Sequence, residues 1–178
     1  MITVHHLENS RSQRILWLLE ELGVEYEIRT YRRDPETLLA PDALKKVHPL
    51  GKSPVITDDA HTVAESGAII EWLDEQYPDP PLLPATPFDR AVVRGMAALV
   101  ACDIHPLHNL RVLDRLRGDF AATPDQISAW IGHWISQGLG AVEQLIGDKG
   151  FCFGEQPGMA DAFLIPQLYA AERFKVPL

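Results

Sequence analysis

His48-Pro49-Leu50-Gly51-Lys52-Ser53-Pro54-Val55-Ile56, followed by Glu65-Ser66-Gly67-Ala68-Ile69-Ile70-Glu71-Trp72-Leu73, decides the reading of this chain. The first segment sets a proline directly before a short apolar strand. The second sets an acidic residue and a hydroxyl at the opening of an apolar helix. A strand start offers main-chain hydrogen bonds, and a helix N-terminus offers free N–H groups to a carboxylate. The pair describes a surface suited to a small acidic peptide.

Upstream, Ile2 to Leu7 reads as a strand, and Ser12 to Leu22 as a helix with Ile15, Leu16, Leu18, Leu19 and Leu22 on one face and Gly23 as its stop. Tyr26 to Tyr31 reads as the next strand, with Tyr26, Ile28 and Thr30 alternating against charges. Pro41 to Val47 suits a short helix opened by its proline. Ser53 to Thr57 and His61 to Ala64 read as a hairpin around Asp58-Asp59-Ala60, and Ser66 to Gln76 as a helix ending before Pro78. The order β-α-β, α, β-β-α predicts a mixed sheet with helices on its faces. Pro78, Pro80, Pro81, Pro84 and Pro87 then crowd into a segment that reads as a linker. Beyond it the signals are helical: Asp89 to Cys102, Leu107 to Leu116, Pro124 to Ile146 with Thr123 as N-cap, and Gly158 to Phe174, broken or bent near Pro166. Two domains are expected, an α/β domain over residues 1–79 and an all-helical one over 88–178, joined by the proline-rich linker 80–87.

The 178 residues are 46% hydrophobic, enough for one sizeable core or two small ones. With 16 basic against 25 acidic residues and a net charge of -9, the chain lacks the basic excess of a nucleic-acid binder. No apolar run approaches the roughly 20 residues that span a bilayer. The N-terminal Met1-Ile2-Thr3-Val4 is strand-like and shows no signal-peptide pattern, so a cytoplasmic setting with no membrane partner is expected. Cys102 and Cys152 fit neither a zinc spacing nor a C-x-x-C pair, which argues against a metal site and against dithiol redox chemistry. Both are expected in the core.

Four stretches of the second half carry a resemblance. They are Cys102-Asp103-Ile104-His105-Pro106-Leu107-His108-Asn109-Leu110-Arg111-Val112-Leu113, His133-Trp134-Ile135, Phe151-Cys152-Phe153-Gly154-Glu155-Gln156-Pro157 and Pro166-Gln167-Leu168-Tyr169. With the two segments quoted first, they make the chain resemble a cytosolic glutathione transferase over nearly all its length. The second half is most similar to the zeta class, the maleylacetoacetate and maleylpyruvate isomerases. Asn9-Ser10-Arg11-Ser12-Gln13-Arg14-Ile15-Leu16 departs from that class, which carries two serines followed by cysteine there. The resemblance implies a thioredoxin-like α/β N-terminal domain and an all-α C-terminal domain, with the chain stopping short of the family's last helices. It implies glutathione as cofactor, a homodimer, and a small dianionic electrophile as substrate. The reaction it implies is cis–trans isomerisation of maleylacetoacetate or maleylpyruvate in aromatic-compound breakdown. General glutathione conjugation and a non-catalytic glutathione-fold module are the alternatives.

Each candidate residue has a chemical reason and a plainer alternative. A hydroxyl at a helix N-terminus can donate to a thiolate, which the helix dipole also favours. Ser10 stands where serine-type relatives carry that hydroxyl, with Ser12 as the alternative; simple helix capping is the plainer role of either. Pro54 resembles the family's cis-proline, which would aim the Val55 N–H and C=O at the ligand main chain like an added strand, with Ser53 beside it; a trans proline at a strand start is the alternative. Lys52 suits the carboxylate of the ligand's glycine end, or is simply solvated. Glu65 would meet the γ-glutamyl ammonium and Ser66 its carboxylate; without the family, Ser66 reads as an N-cap. A dianionic electrophile calls for arginines. Arg111 and Arg173 match the class's substrate contacts, His105 and His108 lie near Arg111, and Arg11 could assist, in a site expected between the domains. Asp161 resembles the family's N-capping aspartate, with Gly158 where its hydroxyl partner usually stands, a loss of about 1 kcal/mol.

Overall fold

Six residues with a largely buried pattern, Ile2–Leu7, form β1. The computed structural model describes residues 1–178. They fall into two units, Met1–Leu83 and Pro84–Leu178.

In the first unit β1 runs parallel to β2 (Tyr26–Tyr31), with Val4 opposite Ile28. It is antiparallel to β3 (Val55–Thr57), which is antiparallel in turn to β4 (Thr62–Ala64). The sheet order is β2-β1-β3-β4, the mixed sheet the sequence predicts. A parallel pair needs a crossover, and α1 (Gln13–Glu21) supplies it. Its Ile15, Leu18 and Leu19 are buried with Val4, Val55 and Ile56 of the sheet and Ile69, Ile70 and Leu73 of α3 (Ser66–Gln76). The short α2 (Asp42–Lys45) places Leu44 against Leu7 and Tyr31.

The hairpin strands are shorter than the expected 53–57 and 61–64. Ser53 and Pro54 lie ahead of β3, and the Ser53–Pro54 peptide is cis, as is Asp79–Pro80. At the turn, Asp58 Oδ1 accepts from the N–H groups of Ala60 (2.8 Å) and His61 (2.7 Å), so a side-chain turn replaces the next ladder positions. The proline-rich stretch is partly anchored rather than a bare linker. The buried Asp74 of α3 accepts from the N–H groups of Leu82 (2.8 Å) and Leu83 (3.0 Å), and both leucines are buried.

The second unit is helical. Thr86 caps α4 (Pro87–Ala98), its hydroxyl accepting from the Asp89 N–H at 3.1 Å. The helix stops earlier than the sequence suggests: Leu99–Ile104 is a π turn and His105–His108 a 3-10 turn. There α6 (Pro124–Glu143) comes close, and a Cβ at Gly138 would collide with Ile104, which is fully buried. The widened turn seats Ile104 against a glycine. Asn109 caps α5 (Leu110–Phe120), so the helix expected from Leu107 starts three residues later. Thr123 and Gln126 form a full capping box on α6, which ends at Glu143 rather than near Ile146. α7 (Met159–Arg173) runs through Pro166 without a break and lies against α4.

The cysteines part company. Cys152 is buried as expected, but Cys102 is exposed, since it lies on the side of the π turn opposite the buried Val100 and Ile104. Burial pushes the Cys152 thiol up to about 12, and the neighbouring Asp161 carboxylate adds to this. A neutral-pH alkylating reagent is expected to label Cys102 and spare Cys152 in the folded protein. Peptide mass mapping checks this, and a label on Cys152 under native conditions contradicts it.

Candidate active site

β1 ends at Leu7, and the chain turns through Asn9 (φ 53°) into α1. That turn carries Ser10, Arg11 and Ser12. Ser12 is fully buried and Ser10 half-buried. Their hydroxyl oxygens lie 2.8 Å apart, and the Ser12 N–H donates to Ser10 Oγ at 3.3 Å. Ser12 Oγ also lies 2.8 Å from Nδ1 of His6 on β1. Burial holds His6 below its ordinary 6.5, with Glu8 opposing. Of the two serines, Ser10 is the one with a face left for a ligand.

Across β1, the Ser53 hydroxyl donates to the His5 carbonyl at 2.7 Å and accepts from the Leu7 N–H at 3.3 Å. Its side chain thus fastens the loop before Pro54 to β1, leaving its main chain for a ligand. β3 is an inner strand, and Val55 registers with His5 on one side and Ala64 on the other. The added-strand picture for Val55 therefore needs correction. β3 has no open edge along its length, so a ligand main chain can meet Val55 only at the strand's proline end.

Glu65 sits at φ 70°, ψ 130°, immediately before α3. A non-glycine residue there costs about 1–3 kcal/mol and persists where surrounding structure enforces it, often at ligand sites. Glu65 is the N-cap residue by backbone geometry and Ser66 the first helical one, one position later than the capping alternative places them. Lys52 Nζ lies 3.4 Å from Glu65 Oε1. The two residues expected at opposite ends of a ligand stand side by side, since the loop before Pro54 and the start of α3 meet.

Ser66 is buried, and its Oγ accepts from Arg14 Nη1 at 3.5 Å. Arg14 is 3% exposed; burial lowers its guanidinium to about 10, so it stays charged at neutral pH. A buried cation behind a helix N-terminus makes that end of α3 attractive to an anion. Neither Arg14 nor His6 stands out as a site residue from the sequence. The available signal was that Arg14 shares the i, i+4 stripe with the buried Leu18.

In the second unit a row of ring contacts joins three of the four candidates. His105 and His108 lie 5.5 Å apart between ring centres, His108 and Phe174 5.8 Å, and the Arg173 guanidinium stands 5.7 Å from the Phe174 ring. His108 is buried with Nε2 3.1 Å from Oε1 of Gln167, so it ties the 3-10 turn to α7. His105 is half-buried, and Arg111 and Arg173 are exposed. Arg111 begins α5 with its N–H on the Asn109 side chain at 3.3 Å, outside that row.

Residues 10–76 match the family model of the glutathione S-transferase N-terminal domain, and residues 110–177 that of the C-terminal domain. The chain is 56% identical over 133 residues to maleylacetoacetate isomerase of Pseudomonas aeruginosa, 74% of this chain and 62% of that protein. It therefore spans less than two thirds of that relative's length. It is 43% identical over 171 residues to maleylpyruvate isomerase of a Ralstonia species, covering 94% of this chain and 80% of that one. Among solved structures, a holo maleylpyruvate isomerase, a bacterial zeta-class glutathione S-transferase, matches with a TM-score of 0.88 at 39% identity, over 99% of this chain and 85% of that one. Maleylacetoacetate isomerase from Anaeromyxobacter dehalogenans, with glutathione bound in its active site, matches with a TM-score of 0.82 at 31% identity, over 100% and 84%.

Proposed function

The chain belongs to the glutathione S-transferase family, and from that premise we propose that it is a glutathione-dependent isomerase of maleylacetoacetate or maleylpyruvate. Support comes from relatives and structural neighbours that carry those names.

The observation that carries the reading is the start of α3. Glutathione presents an ammonium and a carboxylate on one carbon. Glu65, held at an unusual φ, offers an acceptor for the ammonium. Ser66 and the free N–H groups of α3, with the Arg14 cation behind them, offer donors for the carboxylate. The donor set fits the cofactor. Lys52, at 3.4 Å from Glu65, adds a positive charge beside this end of the site and is read as a contact to the ligand's carboxylates. Val55 and Ser53 contribute main-chain groups beside Pro54.

Bound glutathione supplies a thiolate nucleophile. Ser10 is read as the donor that holds the sulfur ionised, acting as a hydrogen-bond donor rather than a base. Arg111, Arg173 and His105 are read as contacts to the carboxylates of the substrate, with Arg11 as a residue that assists binding. His108, enclosed against Gln167 and Phe174, is read as the support that orients His105. Homodimeric assembly and a cytoplasmic setting belong to the same reading; no helix is long and apolar enough to cross a membrane.

Calorimetry of the full chain with glutathione is expected to show association at or below millimolar concentration. With glutathione present, maleylpyruvate or maleylacetoacetate is expected to turn over faster than a chloro-dinitrobenzene acceptor is conjugated. Conjugation alone would remove the isomerase assignment, and binding with neither activity would leave a glutathione-binding module.

A further inference from the structure

His6, Ser12 and Ser10 form a chain of hydrogen bonds that runs from β1 to the turn before α1. Each link, His6 Nδ1 to Ser12 Oγ and Ser12 Oγ to Ser10 Oγ, is 2.8 Å. A hydroxyl has one hydrogen to give, so the chain has a direction. If His6 Nδ1 lacks a proton, Ser12 donates to it. Ser10 must then give its own hydrogen inward to Ser12 and has none for a ligand. If His6 Nδ1 carries the proton, Ser12 accepts from it and donates to Ser10. Ser10 Oγ then accepts twice, from the Ser12 hydroxyl and, at 3.3 Å, from the Ser12 N–H. Both its lone pairs are used, and its hydrogen must point away from the protein.

We propose that His6, as the Nδ1–H tautomer, is a positioning residue that turns this relay outward and so presents the Ser10 hydrogen to the sulfur of bound glutathione. The inference rests on the reading above that Ser10 faces that sulfur. Two observations support it. The backbone of His6 is held in the paired part of β1, opposite Thr30, and the 2.8 Å contact to Ser12 Oγ orients its ring. Burial keeps the ring neutral at pH 7, with Glu8 opposing this, so the tautomer rather than the charge sets the direction.

The test uses the full chain loaded with glutathione. In nitrogen-15-labelled protein, the His6 imidazole shifts are expected to report a proton on Nδ1. A proton on Nε2 alone overturns the proposal without any substitution. A pH titration of the bound thiolate by ultraviolet absorbance is the second arm. His6→Asp, whose carboxylate oxygen near the Nδ1 position can only accept, is expected to turn the relay inward and lower the thiolate fraction at pH 7 about tenfold, as loss of one charge-assisted donor implies. His6→Asn, whose amide places a donor near Nδ1, is expected to restore most of it. Affinity for S-methylglutathione, which has no thiol to ionise, is expected to stay unchanged in both variants. Equal thiolate titrations in all three proteins overturn the role of His6 while leaving glutathione binding intact. Absence of glutathione binding by the unsubstituted chain overturns the parent reading and this one with it.

Discussion

Replacing Ser10 by alanine is expected to lower kcat for isomerisation about a hundredfold or more, the usual cost of removing one preorganised donor from a developing or stored anion. Glutathione affinity should change little, because the contacts assigned to binding lie at Glu65, Ser66 and Lys52. The structure sharpens the choice between the two serines. Ser12 is fully buried and bonded on both sides, whereas Ser10 is half-buried. Ser12→Ala should therefore cost stability as well as rate, since it leaves His6 Nδ1 and Ser10 without their shared partner. Steady-state kinetics on the purified variants, read beside thermal melts, separate these outcomes. Unchanged turnover in Ser10→Ala, with a large loss in Ser12→Ala, would reverse the assignment.

Much of the first unit was legible in the sequence because its elements obey simple periodicities. β1, β2 and α3 occur over the residues expected, and α1 over most of them. The α1 apolar face appears as buried Ile15, Leu18 and Leu19. The departures have identifiable causes. β3 is short because proline cannot donate to a ladder and the Ser53 side chain is occupied with β1. α4 ends early because its successor must accommodate the close approach of α6 at Gly138, a tertiary demand that no local pattern announces. The later start of α5 was readable, since Asn109 is a good N-cap and Pro106 an early stop.

The candidate site divides in the same way. Glu65 and Ser66 could be named from their place before an apolar helix, but the positive φ at Glu65 could not be read from its residue type. Lys52 and Glu65 meet only because the loop before Pro54 folds back onto α3. His6 and Arg14 were missed for a shared reason. Each is polar within a buried segment and is explained by a partner distant in sequence or beyond a turn, His6 by Ser12 and Arg14 by Ser66. Hydrophobic periodicity treats such residues as noise, whereas hydrogen-bond accounting finds them.

The largest stability effect is expected at Asp161. It lies in the first turn of α7, is 7% exposed, and uses both carboxylate oxygens. Oδ1 accepts from the Cys152 N–H at 2.8 Å and Oδ2 from the Gly158 N–H at 3.0 Å. Gly158 has no side chain to return the favour to α7, so the whole junction between the loop at Cys152 and the helix depends on this one carboxylate. Asp161→Ala removes two charge-assisted acceptors and strands two N–H groups, a cost of about 3 kcal/mol or more. That is a large share of the roughly 5–15 kcal/mol that holds a typical domain together. Asp161→Asn should recover only part of it, because the amide keeps one acceptor and turns a donor toward the other N–H. Urea unfolding gives the magnitude. Cys152 gives an independent local readout, since freeing its loop and removing the adjacent negative charge should let an alkylating reagent reach a thiol that the intact protein protects. A loss under about 1 kcal/mol, with Cys152 still unreactive, would mean that packing of Met159, Ala162 and Phe163 holds this junction without the carboxylate.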